Sequence, residues 1–423
     1  MPTKVYIKTY GCSFNFSDSE NMAGLIKESG RYELVDDEKY ADVVIVNSCT
    51  VKNKAENKLY RDINKIDKKL ILAGCVPQAE KDKSKFKGFS IIGTTQIKNV
   101  VQVLDETLAG NTVQLLEKTK DSRLNIPKVR RKNIVEIVPI NEGCLGSCNF
   151  CKTKFARGHL RSYKIEAIVK HIRNALNEGV KELWLTSQDT ACYGYDIDTN
   201  LPNLLNEILK IKRDFKIRVG MGNPDFIPDF IDELIECFKD ERIYRFLHIP
   251  IQAGSDNVLK KMRREYTIES FRNIVNKFKQ EIPDFTLATD MICGYPEETD
   301  EDFEESLKIM NEFRPDVINI SKFWSRPGTI AATMLQLPSE TIKERSDLMV
   351  KLHHKISEEN NKKWIGWSGK VLVDDIKKEK SGTVITRNNS YKMIIIKGDY
   401  KIGDELNVEV VDSTVHYLIG KVV

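Results

Sequence analysis

Three cysteines stand close together in the segment NEGCLGSCNFCKTKFARG, residues 141–158. Cys144, Cys148 and Cys151 form a C-x3-C-x2-C pattern, whereas a structural zinc site or an ordinary cubane cluster takes four protein ligands. Three thiolates can hold three irons of a 4Fe–4S cluster and leave the fourth iron open. An open iron can chelate S-adenosylmethionine and pass it an electron, so the pattern predicts a cofactor-binding cluster. The alternative is a zinc site completed by a distant histidine, and the residues between the cysteines offer no such ligand.

Three further cysteines each end a predicted strand. Cys12 follows KVYIKTYG, Cys49 follows ADVVIVNS, and Cys75 follows KLILAG. Because the carboxyl ends of parallel strands share one edge of a sheet, where ligands normally bind, we expect these residues to converge. A single buried cysteine is usually a small hydrophobic residue, which is the alternative for each one alone. Together they predict a second three-thiolate cluster, which could carry a sulfur atom for donation.

Polar residues near other predicted strand ends are candidates for contacts with S-adenosylmethionine, although each could instead satisfy backbone groups inside the fold. They are Gln188, Asp189, Arg218, Gln252 and Asp290. The remaining cysteines fit neither set, and we expect structural roles for Cys192, Cys237 and Cys293. No residue is singled out as a catalytic acid, base or nucleophile.

Basic residues follow the last cysteine of the C-x3-C-x2-C pattern. The stretch from Lys152 to Lys164 carries five cations and no acid, with Phe155 and Tyr163 interleaved. Cations track phosphates and aromatic rings stack unpaired bases, so the stretch predicts contacts with single-stranded RNA. A solvated loop is the alternative. The residues predicted to contact the substrate are Lys152, Lys154, Arg157 and Arg326, the last of which follows a predicted strand and could meet a carboxylate.

The elements that must position these residues change character twice along the chain. Residues 1–115 alternate short β-branched runs with helical segments, which predicts a parallel sheet with helices on its faces. Residues 116–132 form a basic linker, and its cations serve either solubility or contact with the phosphate backbone of a nucleic acid. Residues 133–361 hold six strand–helix units and predict a (βα)6 partial barrel of the TIM type. Residues 362–423 read as short strands with Gly and Asn turns, which predicts a small all-β barrel of the oligonucleotide-binding size.

Composition limits the class of protein. The chain has 423 residues, 41% hydrophobic and 30% charged, and its net charge of +4 is too small to indicate a nucleic-acid partner by itself. No apolar run approaches the roughly 20 residues of a membrane helix. The start, MPTKVYIKTYGC, lacks the order of a signal peptide. Nine cysteines without such a signal favour a reducing, cytoplasmic setting and metal or redox work rather than disulfides.

These motifs together resemble the methylthiotransferase family of radical S-adenosylmethionine enzymes, and the likeness covers nearly the whole chain. The segments CKTKFARG, LTSQDTACYG, RVGMGNP, HIPIQAGSD and SRPGTIAA resemble its archaeal and eukaryotic branch, which acts on threonylcarbamoyladenosine in tRNA. Members of that branch convert N6-threonylcarbamoyladenosine at position 37 into its 2-methylthio form. The C-terminal segment resembles their TRAM domain, which binds RNA.

The resemblance implies two 4Fe–4S clusters and S-adenosylmethionine as cofactors. By matching positions it implies that Cys144, Cys148 and Cys151 hold the radical-generating cluster, and that Cys12, Cys49 and Cys75 hold an auxiliary one. It also implies a tRNA substrate, an electron donor and no membrane. The alternatives are the same chemistry on another tRNA adenosine or on a ribosomal protein side chain, and a non-catalytic iron–sulfur protein that binds RNA. The all-β tail and CKTKFARG favour RNA over a protein substrate.

Overall fold

The computed structural model describes residues 2–51, 53–376 and 382–423. Ser381, with which one predicted strand begins, lies outside the described residues. The chain groups into two compact units. The first comprises Met1–Leu145, Cys151–Ala175 and Leu185–Gln188, and the second Gly146–Phe150, Leu176–Trp184 and Asp189–Val423.

Nineteen strands are described. They are β1 (Thr3–Thr9), β2 (Tyr32–Leu34), β3 (Val43–Ser48), β4 (Lys69–Gly74), β5 (Ser90–Ile92), β6 (Gln114–Leu115), β7 (Val135–Pro139), β8 (Asn141–Glu142), β9 (Arg161–Ser162), β10 (Glu182–Thr186), β11 (Lys216–Val219), β12 (Phe246–His248), β13 (Thr286–Cys293), β14 (Val317–Lys322), β15 (Ser368–Ile376), β16 (Thr383–Arg387), β17 (Met393–Lys397), β18 (Glu405–Ser413) and β19 (Leu418–Val422).

Twelve α-helices connect them, with short 3-10 turns between. They are α1 (Ser13–Ser29), α2 (Asn53–Ile63), α3 (Cys75–Ala79), α4 (Val100–Leu108), α5 (Thr153–Arg157), α6 (Ile165–Asn177), α7 (Leu201–Leu209), α8 (Ile231–Phe238), α9 (Asp256–Lys261), α10 (Ile268–Glu281), α11 (Asp300–Phe313) and α12 (Ser339–Lys362). None of the helices in the described ranges is long and apolar enough to cross a membrane.

A six-stranded parallel sheet forms the N-terminal part of the first unit, in the order β2-β1-β3-β4-β5-β6. Its central strand β3 is buried along its whole length, because helices cover both faces of the sheet. One core cluster on these faces includes Val43 and Ile45, and the other includes Val44 and Val46, as the alternation of side chains along a strand requires. The predicted parallel sheet is confirmed.

Six strand–helix units follow, and the prediction of a (βα)6 partial barrel is confirmed. In the second unit β10 pairs with β11, and β12, β13 and β14 form a parallel sheet. The last residues of β10 group with β7 in the first unit. Helix α10 illustrates the local logic: the Thr267 side chain caps its start, and its apolar residues recur at helical spacing and are buried.

The C-terminal strands close into a five-stranded barrel in the order β15-β16-β17-β19-β18, as predicted. Its interior is filled by Val371, Val373, Val384, Ile394, Ile396, Val408, Val410 and Leu418. The turn between β16 and β17 contacts the amino ends of strands in the (βα)6 region. Asn389 O accepts from the Arg245 N–H at 2.8 Å, and Ser390 O accepts from the Thr286 hydroxyl at 2.6 Å.

Candidate functional site

The three N-terminal cysteines lie directly after three neighbouring parallel strands. Cys12 follows β1 and precedes helix α1, Cys49 follows β3, and Cys75 follows β4 as the first residue of α3. Strands β1, β3 and β4 are adjacent and in register, so they end at one level of the sheet. The parallel topology therefore brings to one edge three residues that are dozens of positions apart in the chain.

Two glycines make this close approach possible. Gly11 has φ of 142°, and a Cβ there would lie 2.5 Å from the Cβ of Cys49. Gly74 has φ of 89°, and a Cβ there would lie 2.2 Å from Asn47 Oδ1. A side chain at either position would both strain the backbone and push the cysteine loops apart.

A buried amide network holds the loops at this edge. Asn15 Nδ2 donates to Asn47 Oδ1 at 3.2 Å and to Ser48 O at 3.0 Å. The Cys12 thiol donates to Asn15 Oδ1 at 3.4 Å. Because buried amides are costly to leave unpaired, this network ties the cysteine loops to the sheet.

The three sulfurs interact with one another. The hydrogen bond with Cys49 lowers the pKa of Cys12 to about 6. The same bond raises the pKa of Cys49 well above its ordinary value. Burial raises the pKa of Cys75, and the charge at Cys12 adds to that rise. Three thiols that parallel strands bring to one edge of a sheet are a donor set suited to iron, so the residues present fit a cluster held by three thiolates.

The second cysteine set lies on the segment between β8 and α5. Cys144, Cys148 and Cys151 are all partly exposed, and the segment has no regular secondary structure. Irregular backbone with partly exposed thiols leaves the sulfurs accessible to a metal cluster. The donor chemistry therefore fits here as well.

Asn149, next to Cys148, anchors this segment within the second unit. Its backbone N–H donates to Met262 O at 3.0 Å, and its side chain donates to Lys261 O at 2.8 Å. Its carbonyl accepts from the N–H of Ala331 at 3.0 Å. The segment that contains Arg326 and ends at Ala331 is thereby tied to the cysteine loop.

Arg264 is a candidate that sequence reasoning missed. Its guanidinium interacts electrostatically with the Cys148 thiol and lies over the Phe150 ring at 5.8 Å. Within the described residues, its Nε is buried without a hydrogen-bond partner. The segment RREY in the sequence has no spacing relation to the cysteines, so no local signal points to this residue.

Two of the predicted cofactor residues, Gln188 and Asp189, lie directly after β10, and their side chains accept hydrogen bonds from backbone N–H groups. Gln188 Oε1 accepts from the Gly143 N–H at 2.7 Å. Asp189 is buried, which raises its pKa, and it accepts from the N–H groups of Ala191 at 3.0 Å and Asn223 at 2.9 Å. These bonds orient the loops, and a contact of either residue with S-adenosylmethionine stays a prediction.

Gln252 lies in the loop after β12, and Asp290 lies within the neighbouring strand β13. The two residues are in contact. The Gln252 N–H donates to Asp290 O at 2.9 Å, and Gln252 has a φ of 67°. The Asp290 carboxylate lies 3.1 Å from His248 Nε2. Left-handed backbone at a non-glycine residue is a feature that recurs at ligand sites, and it keeps this pair among the cofactor candidates.

Arg218, in β11, contacts three aromatic rings. Its guanidinium lies among three aromatic rings, 5.6 Å from Trp184, 5.0 Å from Phe246 and 5.4 Å from Tyr391. Tyr391 belongs to the turn of the C-terminal barrel that meets the amino ends of the strands. These cation–π contacts hold Arg218 where the two barrels pack together, and its contact with S-adenosylmethionine stays a prediction.

Burial divides the predicted substrate cations. Lys152 is buried and pairs with Glu56 at 3.5 Å, and Arg157 is buried and pairs with Asp18 at 2.8 Å. Both side chains thus have protein partners, and the structure does not support the predicted substrate contacts by them. Lys154 and Arg326 are partly exposed, and Arg326 lies over the Trp324 ring at 5.4 Å.

The aromatic residues of the same stretch also separate. Phe155 is 41% exposed, and the Lys81 ammonium lies 5.5 Å from its ring. Tyr163 is buried and donates its hydroxyl to Glu142. Phe155 therefore keeps the surface that base stacking needs, whereas Tyr163 is a core residue and the stacking expectation for it is wrong.

The cations of the linker are largely engaged within the first unit. Arg123 is buried and pairs with Asp18 at 2.5 Å and with Glu142 at 2.7 Å. The Lys128 side chain is 5% exposed and pairs with Glu136 at 2.5 Å. The tRNA-backbone role left open for this segment does not apply to these two residues, because a buried ion pair cannot reach a phosphate.

Three family models match the chain. The Radical SAM superfamily matches residues 138–310, the "Uncharacterized protein family UPF0004" matches residues 4–91, and the TRAM domain matches residues 369–423. The chain is 41% identical over 430 residues to the threonylcarbamoyladenosine tRNA methylthiotransferase of Homo sapiens, covering 99% of this chain and 74% of that one. It is also 41% identical to the probable threonylcarbamoyladenosine tRNA methylthiotransferase of Pyrococcus horikoshii, covering 99% of each chain.

Among solved structures, one with a similar fold is the radical S-adenosylmethionine methyltransferase TsrM from Kitasatospora setae with cobalamin and a 4Fe–4S cluster bound, at a TM-score of 0.55 and 14% identity. The match covers 78% of this chain and 74% of that one. At this identity the likeness concerns the fold alone.

Proposed function

Since this chain belongs to the family of threonylcarbamoyladenosine tRNA methylthiotransferases, we propose that it converts N6-threonylcarbamoyladenosine at position 37 of tRNA into its 2-methylthio derivative. The observation that carries this proposal is the pair of three-cysteine sets, one on the loop before α5 and one at the ends of β1, β3 and β4. The enzyme transfers a sulfur group and uses an iron–sulfur cluster and S-adenosylmethionine.

We propose two clusters rather than one. Cys144, Cys148 and Cys151 would hold the one that binds S-adenosylmethionine, and the converging N-terminal cysteines would hold the other. When bound, these groups supply the radical that takes hydrogen from C2 of the base, and the sulfur and methyl that replace it. The position of Cys12, Cys49 and Cys75 at the ends of three neighbouring parallel strands supports the second cluster.

The protein's own residues would bind and orient the base. Phe155 offers an exposed ring with a cation beside it, which suits stacking of a base splayed out of the anticodon loop. Arg326 and Lys154 are the partly exposed cations that could pair with the carboxylate of the threonylcarbamoyl group. The proposed contacts of S-adenosylmethionine are Gln188, Asp189, Arg218, Gln252 and Asp290.

Several further features are part of the same proposal. The domain borders are 1–115, 116–132, 133–361 and 362–423, supported by the end of the sheet at β6 and the start of the closed barrel at β15. An electron donor, whose identity the proposal leaves open, reduces the cluster. The nine cysteines, all free thiols, support work in a reducing, cytoplasmic setting.

The test is mass spectrometry of tRNA nucleosides. The reduced protein is incubated without oxygen with S-adenosylmethionine, sulfide and tRNA that bears threonylcarbamoyladenosine. We expect the 2-methylthio nucleoside and 5′-deoxyadenosine. The same incubation is repeated with tRNA that bears unmodified or prenylated adenosine, and with ribosomal protein. If S-adenosylmethionine is cleaved and only one of these alternatives becomes methylthiolated, that alternative is the substrate. No cleavage at all would leave a non-catalytic RNA-binding protein.

Two triple variants test the two-cluster assignment. Replacing Cys144, Cys148 and Cys151 by Ala should abolish cleavage of S-adenosylmethionine, whereas replacing Cys12, Cys49 and Cys75 should spare cleavage and end sulfur transfer. Each should lower the iron content from about eight to about four atoms per chain. An unchanged iron content in the N-terminal triple variant would contradict the second cluster.

A further inference from the structure

Arg157 is an arginine held in one place by the core of the first unit. Its side chain is 1% exposed, and its Nη2 donates to Asp18 Oδ2 at 2.8 Å. The guanidinium also lies over the Phe14 ring at 4.3 Å. Among the described residues, however, its Nη1 is buried without any hydrogen-bond partner. A charged donor left unpaired in a protein interior is costly, so this group is expected to serve something that binds nearby.

The neighbour of this guanidinium is one of the N-terminal cysteines. Arg157 ends helix α5, which packs against helix α3, and Cys75, Ala79 and Ala156 form a common apolar contact between the two helices. Thr94 fastens the same helix by donating its hydroxyl to Ala156 O at 2.9 Å. Cys75 thus shares a packing contact with Ala156, the residue directly before Arg157.

The charges around this position leave a positive excess. Asp18 and Glu142 are the buried carboxylates, and they face the buried arginines Arg123 and Arg157. Arg161, 27% exposed, adds a third cation through its contact with Glu142 at 2.9 Å. A 4Fe–4S core held by three thiolates is an anion, and every further electron or bound sulfide makes it more negative. The excess thus has the sign that such a group requires.

We propose that Arg157 is a positioning residue for the cluster assigned to Cys12, Cys49 and Cys75, directing its unpaired Nη1–H at a sulfur of the bound group. Asp18 holds the guanidinium in that orientation, as outer residues orient ligands in other metal sites. This inference rests on the proposed function, since it presumes that the N-terminal cysteines carry a cluster. It also explains why a cation in the substrate-binding stretch is turned away from the solvent.

The expected consequence concerns the reduction potential of that cluster. Hydrogen bonds to cluster sulfurs and nearby positive charge favour the reduced state. Loss of the Arg157 charge should therefore make the potential more negative, and loss of the Asp18 charge should make it more positive. Opposite signs from two residues of one ion pair are not expected if the pair only supports the fold.

The experiment is a redox titration followed by electron paramagnetic resonance, on full-length protein that carries Cys144→Ala, Cys148→Ala and Cys151→Ala so that one cluster remains. Arg157→Gln should lower the equilibrium constant for one-electron reduction of the cluster at least tenfold. This corresponds to a reduction potential about 59 mV more negative. Asp18→Asn should shift it upward. Arg157→Lys keeps the charge and should lie nearer to the parent protein. Arg161→Gln is the matched control, because it removes a cation of the same network that does not contact Cys75.

The outcomes are distinguishable. A potential and spectrum that stay the same in Arg157→Gln, or a shift no larger than in Arg161→Gln, would overturn the inference. If Arg157→Gln does not fold, the sign of the shift in Asp18→Asn decides, and a downward or absent shift overturns the inference. A parent protein with no cluster at the N-terminal cysteines would instead refute the second cluster itself, and the inference with it.

Discussion

The basic residues after Cys151 differ in how far their side chains are exposed to solvent. In the stretch after Cys151, Lys152 and Arg157 lie in the interior with carboxylate partners, while Lys154 is partly exposed. Arg326 is also partly exposed, and its segment is tied to Asn149 in the cysteine loop. A cation that binds the substrate must be able to reach it, so Lys154 and Arg326 are the residues that we propose for contact with the threonylcarbamoyl carboxylate.

Substitution of the cation that grips this carboxylate should weaken selectivity. A charge-assisted hydrogen bond contributes about 1.5–3 kcal/mol, so Arg326→Gln or Lys154→Gln should cost about 10- to 100-fold in affinity for tRNA with the threonylcarbamoyl group. Affinity for the same tRNA with unmodified adenosine should change little. The measurement is the dissociation constant of each tRNA, with the exposed Lys164→Gln as control. Equal losses on both tRNAs would instead indicate phosphate contacts.

Glu136 is a buried carboxylate whose charge stabilises the first unit. Its side chain is fully buried and lies 2.5 Å from both Lys128 Nζ and Arg130 Nε and 3.0 Å from His171 Nε2. Burial alone would raise the pKa of Glu136, but Lys128, His171 and Arg130 together hold it well below its ordinary value. A carboxylate with a lowered folded-state pKa contributes stability above its unfolded value, and that contribution is lost as the pH falls.

We expect stability to decline below about pH 4.3, the ordinary value for Glu, and to keep falling toward the lowered pKa. In Glu136→Gln the two cations lose their partner, so the variant should be less stable at pH 7 by about 3–5 kcal/mol and should decline less steeply in acid. Urea unfolding at several pH values measures both effects. The exposed Glu33→Gln is the control, and an equally steep acid decline in Glu136→Gln would show that other carboxylates dominate.

At the scale of elements, the turn between β16 and β17 docks one barrel onto another. Lys392 in this turn is buried and pairs with Asp316 at 2.7 Å, so its charge does not face the solvent. Tyr391 in the same turn packs on Tyr244 and Phe246, with ring centroids 4.7 and 5.1 Å away. Tyr391 also has a φ of 60°, a left-handed conformation that glycine adopts without strain.

Replacing Tyr391 separates these two effects. Tyr391→Ala removes the ring and keeps the strain, so we expect a loss of about 3 kcal/mol in the free energy of unfolding. Tyr391→Gly also removes the ring but relieves the left-handed strain, which is about 1–2 kcal/mol for a residue with a Cβ. The glycine variant should therefore be the more stable of the two in thermal or urea unfolding. The reverse order would mean that the turn is held without backbone strain.

At the scale of the whole molecule, the C-terminal barrel is bound to the (βα)6 region by buried contacts. Besides the turn, Ser357 of α12 donates to Val415 O at 2.6 Å. Deleting the barrel would therefore expose core aromatic rings, and a loss of tRNA binding in such a deletion would have two explanations. Single exposed lysines give a cleaner test of its role with RNA.

We expect Lys397→Ala and Lys370→Ala, both on the exposed surface of the closed barrel, to weaken tRNA binding across all tRNA sequences. Removing one lysine that pairs with a phosphate should lower the salt slope of binding by about one. Cleavage of S-adenosylmethionine should not change. The exposed Lys351→Ala on helix α12 is the control, and a salt slope equal to that of the parent in all three variants would exclude these lysines from the tRNA interface.

The sequence predicted those strands and helices that are long enough to show a periodic pattern of apolar residues. It predicted the strands that precede the six proposed cluster ligands, and it predicted the six strand–helix units. Alternating β-branched runs and amphipathic helices show their periodicity within a few consecutive residues. Strands β2, β5 and β6 were missed, since each has two or three residues and no period to detect. Gly11 and Gly74 carried no visible signal, because their need arises from neighbours on other strands.

The sequence by itself determined which chemistry the chain can hold, since cysteine type, spacing and strand ends are local properties. Only the tertiary structure decided which charges are available to that chemistry. Arg157 pairs with a carboxylate 139 residues away, and Arg123 with one 105 residues away. Burial depends on packing between segments that are distant in the chain. The basic stretch after Cys151 therefore resembles an RNA contact in sequence, whereas Arg157 at its centre forms an ion pair in the protein interior.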